Sequence, residues 1–188
     1  VTLPETFEGA GGFDQAGWTR TSSGFNWAWS SARSQSPTHS WHSQGQAFSG
    51  NRILTSPPIQ AGPGSLLSFW HTYELEQCFD GGTLEVSDDG GFKWAPVPAF
   101  AFLAGGFVDE VYGSGNPIFG RPAWCHGTLG AMTEVRVDLS SWAGETILVR
   151  WHAGEDFSVA SPGWYVDSVT FQNVLVDNAC VTEPPPAL

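Results

Sequence analysis

Positive charge is what this chain has least of: seven Lys plus Arg stand against 19 Asp plus Glu in 188 residues, a formal charge of −12. With no basic patch interleaved with aromatics, that balance excludes nucleic acid, whose phosphates such a chain repels. Strong helix formers are also thin, with a single Met, while 23 Gly and 13 Pro punctuate the sequence, which excludes a helical domain. No apolar run reaches membrane-spanning length, so no membrane insertion is expected. The opening Val1-Thr2-Leu3-Pro4 has neither the basic nor the apolar region of a signal peptide, as in a mature product or an excised domain.

Catalytic signatures are missing as well. There is no Gly-x-Ser-x-Gly elbow, no His-Glu-x-x-His, no phosphate-binding Gly-rich loop and no EF-hand loop. The three cysteines show neither zinc-cluster nor Cys-x-x-Cys spacing, and an odd number leaves one thiol over. Cys78 and Cys125 each sit at the edge of a loop-rich stretch, so they are the expected disulfide, worth ~4 kcal/mol for a loop of that length. The alternative is three reduced cysteines buried as small apolar residues. Cys180 is then free or paired outside this chain.

What is present is apolar and aromatic: 41% hydrophobic residues, with 10 Trp and 13 Phe. This composition belongs to a packed globular domain, and the length suits one all-β domain over residues 1–180. Residues 181–188 hold Glu183-Pro184-Pro185-Pro186, which cannot continue a sheet and reads as a linker to a longer parent chain.

Period-2 alternation marks strands over residues 66–76, 83–87, 134–139, 147–152 and 163–174. With turns at Asp80-Gly81-Gly82 and Asp88-Asp89-Gly90-Gly91, residues 66–94 read as a three-strand antiparallel meander. Shorter strands are expected over residues 6–8 and 18–20, around Trp27 and Ala47, and over residues 52–55. The polar stretch 30–43 reads as a loop. Residues 96–128, rich in Gly and Pro, read as a long excursion with little regular structure.

A series of short motifs then follows in order. Phe7-Glu8-Gly9 and Gly17-Trp18 precede Leu54-Thr55-Ser56-Pro57-Pro58-Ile59 and Leu67-Ser68-Phe69-Trp70-His71. Asp80-Gly81-Gly82-x-Leu84-Glu85-Val86-Ser87 leads into Asp89-Gly90-Gly91-x-x-Trp94, then Val137-Asp138-Leu139, Ala143-Gly144 and Gly163-Trp164-Tyr165-Val166-Asp167. This order resembles the MAM-like sandwich domains appended to bacterial secreted peptidases, the immune inhibitor A group among them, and the cleaved-adhesin domains of gingipains.

The resemblance implies an all-β, two-sheet antiparallel jelly-roll sandwich, concanavalin- and MAM-like, placed outside the cell. It implies a non-catalytic binding or scaffold role beside neighbouring domains of a parent chain, and calcium holding terminal strands and loops. Cys78, Cys125 and the insertion at residues 96–128 depart from the pattern, so a ligand preference for an extracellular protein or glycan is sought there.

Carried onto this sequence, the resemblance makes Glu8 and Asp167 the first candidate calcium ligands; the alternative is a backbone hydrogen bond or an ion pair with Arg136 or Arg150. A second acidic group is Glu74, Glu76, Asp80 and Glu85, of which Glu76 and Asp80 are the metal candidates, against a plain acidic rim. His39 and His42 lack further zinc ligands nearby, and His71 alternates with core residues as an interior histidine.

Two other functions compete. Exposed indoles at Trp27, Trp29, Trp41 and Trp124 would stack on sugars in a carbohydrate-binding module, while Trp70, Trp94, Trp142, Trp151 and Trp164 are expected to fill the core. Two acids among Glu74, Glu76, Glu85 and Asp156 facing one groove would make a polysaccharide hydrolase or lyase.

Overall fold

The structure, a computed structural model, describes residues 1–175. The expectations for Cys180 and for the Pro-rich tail lie outside them. In chain order the strands are β1 (Leu3–Glu5), β2 (Thr19–Ser22), β3 (Ala28–Ser30), β4 (Ser40–Ser43), β5 (Gly50–Thr55), β6 (Ile59–Gln60), β7 (Leu66–Glu74) and β8 (Gly81–Ser87). They continue with β9 (Ala95–Pro96), β10 (Phe102–Ala104), β11 (Asp109–Glu110), β12 (Pro122–Ala123), β13 (Thr133–Asp138), β14 (Thr146–Glu155) and β15 (Gly163–Gln172).

Two large antiparallel sheets result, and β11 pairs with β12 in a separate two-stranded sheet within the insertion. One large sheet runs β10-β13-β7-β15-β4-β3, with β1 also on β15; the other runs β2-β5-β14-β8-β9, with β6 also on β14. Alternating Leu67, Phe69, Val135, Val137 and Val166 from the first sheet meet Leu54, Leu84, Val149 and Trp151 from the second in one shared core. Phe69 meets the Trp151 ring edge-on at 5.4 Å, spanning the two sheets. The all-β two-sheet sandwich is therefore as expected, and the long alternating strands fall where the pattern places them.

The meander does not form. β7 pairs with β13 and β15, whereas β8 pairs with β14 and β9 in the opposite sheet. The chain crosses between sheets over residues 75–80, because Gly81 and Gly82 belong to the strand rather than to a turn. A Cβ at Gly81 would meet Val111 Cγ2 at 2.6 Å, and one at Gly82 would meet the Trp164 ring at 2.5 Å. The glycines let two neighbours approach β8 from opposite sides. Residues 92–94 form no strand; the Trp94 ring instead sits under Arg150, whose Cζ lies 4.2 Å from its centroid.

Near the amino end the strand is β1, not residues 6–8, because Phe7 has φ 60° and leaves the ladder. The polar stretch ends in β4, which pairs with β15 at Val166↔Trp41 although its composition disguises it. Ala47 lies outside any strand. In each case packing overrode local propensity.

The insertion is largely irregular, yet it is anchored. Trp124 exchanges backbone hydrogen bonds with Gly82 at 2.8 and 2.9 Å and its ring joins the main core. Val111, Ile118 and Ala123 form a small second cluster over β8. Cys78 and Cys125 are joined by a disulfide, tying the crossing to the end of the insertion. Arg121 from the insertion pairs with buried Glu85 of β8, beside Arg150 at 2.6 Å and His152 at 2.9 Å.

Candidate cation site

Glu8 and Asp167 come together across a junction of the amino-terminal segment, the loop before β4, and β15. Asp167 is fully buried. Its Oδ2 accepts the amides of Gln35 at 2.6 Å and Ser36 at 2.8 Å, and its Oδ1 accepts the Ser168 amide at 2.6 Å. Glu8 Oε1 accepts the amides of Thr38 at 2.9 Å and His39 at 2.7 Å. Backbone amides rather than Arg136 or Arg150 thus meet both carboxylates.

Partial burial raises the Glu8 carboxyl, but hydrogen bonds from Thr38, His39 and Ser36 outweigh it and hold the group at about 2. Burial pushes the Asp167 carboxyl up, with the amides of Ser36, Gln35 and Ser168 pulling the other way.

Between them sits Ser36 Oγ, a residue that sequence reasoning left inside a featureless polar loop. It lies 2.9 Å from Glu8 Oε1, 3.0 Å from Thr6 O, 3.0 Å from His39 O, and 3.1 and 3.0 Å from the two Asp167 oxygens. A hydroxyl has one proton to donate, so it cannot satisfy these acceptors together. Two carboxylates and two carbonyls thus crowd one hydroxyl, and the set is all oxygen, the donor type a hard cation such as calcium takes.

The second acidic group does not converge as expected. Glu85 lies under its cationic partners, and Glu74 Oε2 accepts the Leu129 amide at 3.3 Å. Glu76 and Asp80 instead meet Asp156, with one carboxylate oxygen from each within 4.8 Å of the others. Asp156 was singled out only for the hydrolase reading.

Of the four candidate sugar-stacking indoles, Trp27, Trp41 and Trp124 are each 1% exposed, leaving no face for a ligand. Trp29 is 41% exposed, stacks on His39 at 4.0 Å and donates to Phe7 O at 2.7 Å. Conversely, Trp70, Trp94 and Trp142 are only half-buried, so the expected core set holds for Trp151 and Trp164. Alternation cannot tell which loop tryptophans turn inward.

His39 and His42 do not share a site. The His42 ring stacks on Tyr165 at 3.9 Å, and its Nε2 lies 2.9 Å from Pro162 O. His71 is an interior histidine accepting from Trp164 Nε1 at 3.3 Å, and burial pushes it down to about 3. The insertion also borders an open apolar cleft of about 430 Å³ lined by Val97, Pro98, Phe102, Phe107, Val108 and Pro122.

The two-sheet sandwich shares its fold with solved cleaved-adhesin domains. The K2 cleaved adhesin domain of Lys-gingipain superposes with a TM-score of 0.53 at 16% identity, over 91% of this chain and 99% of that one. The K3 domain of Lys-gingipain from Porphyromonas gingivalis gives 0.52 at 19% identity, over 90% and 96%. In sequence the chain is similar to Bacillopeptidase F of Bacillus subtilis (strain 168), 27% identical over 167 residues. That alignment covers 84% of this chain and 10% of the relative, so the chain spans about a tenth of it. No family model matches. The resemblance read from the motifs, to a cleaved-adhesin-like domain of the kind appended to peptidases, therefore holds in both fold and sequence.

Proposed function

We propose that this chain is a non-catalytic accessory and binding module of a larger secreted protein, a peptidase or an adhesin, whose amino-terminal junction is held by calcium. The observation that carries the calcium reading is Ser36 Oγ, crowded by carboxylate and carbonyl oxygens it cannot satisfy. Glu8, Asp167, Ser36 and the carbonyls of Thr6 and His39 are the ligands. The ion neutralises two carboxylates and ties the amino-terminal segment to β15. The module reading is supported by the likeness to one tenth of a peptidase chain, and the secreted setting by the Cys78–Cys125 bond.

Scanning calorimetry with calcium and then a chelator tests it. A melting temperature that rises with calcium, falls back on chelation and responds less in Asp167→Asn supports the site; equal melting in all conditions overturns it. Turnover of a protein or polysaccharide substrate by the purified domain overturns the accessory role.

A further inference from the structure

The five buried carboxylates among the described residues are Glu5, Asp80, Glu85, Glu155 and Asp167. Four are met. Glu5 accepts amides from Phe7, Asp14 and Gln15 at 2.8–3.0 Å. Glu85 faces Arg121, Arg150 and His152, and Glu155 pairs with Arg52 at 2.6 Å and accepts the Gln46 amide at 2.9 Å. Asp167 has the amides described above.

Asp80 is the exception. It is 1% exposed, its Oδ1 accepts the Asp156 amide at 2.8 Å, and its Oδ2 is buried with no partner. None of the ion pairs among the described residues includes Asp80, Glu76 or Asp156. An unpaired buried carboxylate is costly, and two further acids at its side make it more so. Burial, with Glu155, Asp156 and Glu76 adding to it, pushes the Asp80 carboxyl up to about 7.

We propose that Glu76, Asp80 and Asp156 hold a second divalent cation with calcium's ligand preferences, tying the end of β14 to the β7–β8 crossing. The donor set is all oxygen. Ser158 Oγ adds to it, lying 3.2 Å from Glu76 Oε2 and 3.0 Å from Asp156 Oδ1. Hard cations take such ligands, whereas zinc favours nitrogen and sulfur. The nearby sulfurs of Cys78 and Cys125 are already joined to each other and are not available as thiolate ligands. The cation supplies the positive charge that Arg52 gives to Glu155 and that Arg150 gives to Glu85.

This site stands apart from the Glu8–Asp167 junction and is tested separately from it. Calcium is titrated calorimetrically into metal-stripped domain, as wild type, Asp80→Asn, Asp156→Asn and Asp167→Asn. The expected result is two equivalents for wild type and one for Asp80→Asn, with a step at least tenfold weaker in Asp156→Asn. Asp167→Asn should keep the step that Asp80→Asn loses. One equivalent in wild type that survives Asp80→Asn and disappears in Asp167→Asn overturns the second site and leaves the first. One equivalent lost in Asp80→Asn and kept in Asp167→Asn supports the second site and removes the first. No binding in folded wild type overturns both, and Asp80 is then a buried carboxylic acid carrying its proton.

Discussion

Two groups of acids lie where separate segments of this molecule meet, and their charge is met differently. At the amino-terminal junction, Asp167 and Glu8 accept amides from Gln35, Ser36, Thr38, His39 and Ser168, so most of their charge is met by the backbone. At the crossing, a single amide reaches Asp80, and the covalent bond between Cys78 and Cys125 stands beside it. Carboxylates fed by amides already have part of their charge met before any cation is bound. Carboxylates without them, such as Asp80 with its unpartnered Oδ2, depend more heavily on another tie, either a covalent bond or a cation.

The largest way to break this contrast is to remove the disulfide. Cys78→Ser with Cys125→Ser should lower stability by about 3–4 kcal/mol through a looser unfolded state, read as a fall in denaturant midpoint. A loss below about 1 kcal/mol would mean that the crossing rests on its carboxylates and on Trp124, and the two junctions would then be alike.

Acid sharpens the contrast next. Glu8 is held at about 2, so its contribution is present above 4.5 and is lost only as the pH falls towards 2. His71 and His152 are pushed down to about 3, His71 by burial and His152 by burial together with Arg150 and Arg121. Each is neutral in the fold while the unfolded chain takes up a proton below 6.5. Their contribution is complete above 6.5, and stability drops as the pH falls from there towards 3, by up to about 1.4 kcal/mol per pH unit for each. Asp80, pushed up to about 7, contributes the opposite slope, so melting in chelator is compared between variants. The difference between wild type and His71→Phe should shrink steadily as the pH falls from 6.5 towards 3, whereas Glu8→Gln should change its difference from wild type only below 4.5. A slope between 6.5 and 4.5 that disappears in Glu8→Gln would place the acid sensitivity at the junction instead.

The smallest effect belongs to Trp29, which covers His39 beside the amide-rich junction. Trp29→Ala removes one hydrogen bond and a half-exposed ring, at a cost of about 1 kcal/mol or less by calorimetry. A glycan array run on both proteins decides its other role. Binding seen in wild type and lost in the variant assigns the ring to sugar, whereas identical arrays leave it as cover for His39.

Legibility followed the range of the interaction. Leu67, Phe69 and His71 announce a strand and its inner face because successive side chains must alternate. Glu8 and Asp167 were reached through the order of short motifs, and the structure brings them to one spot. Asp80-Gly81-Gly82 misled because Asp-Gly has the form of a turn, while the real reason for the glycines is the approach of Val111 and Trp164, far away in sequence. Ser36 and Asp156 carried no local sign at all: a serine in a polar loop and an acid after a strand are ordinary until something folds against them.

Read alone, the sequence determined the all-β class and the inner faces of the long strands, and it favoured Cys78 and Cys125 as disulfide partners. These follow from backbone sterics, composition and the few cysteines present. Only the tertiary structure decided that β7 and β8 lie in opposite sheets, that Trp27, Trp41 and Trp124 turn inward while Trp29 does not, and that Asp80 is left without a partner. Pairing, burial and the satisfaction of charge depend on residues distant in the chain, and no local pattern encodes where those residues will stand.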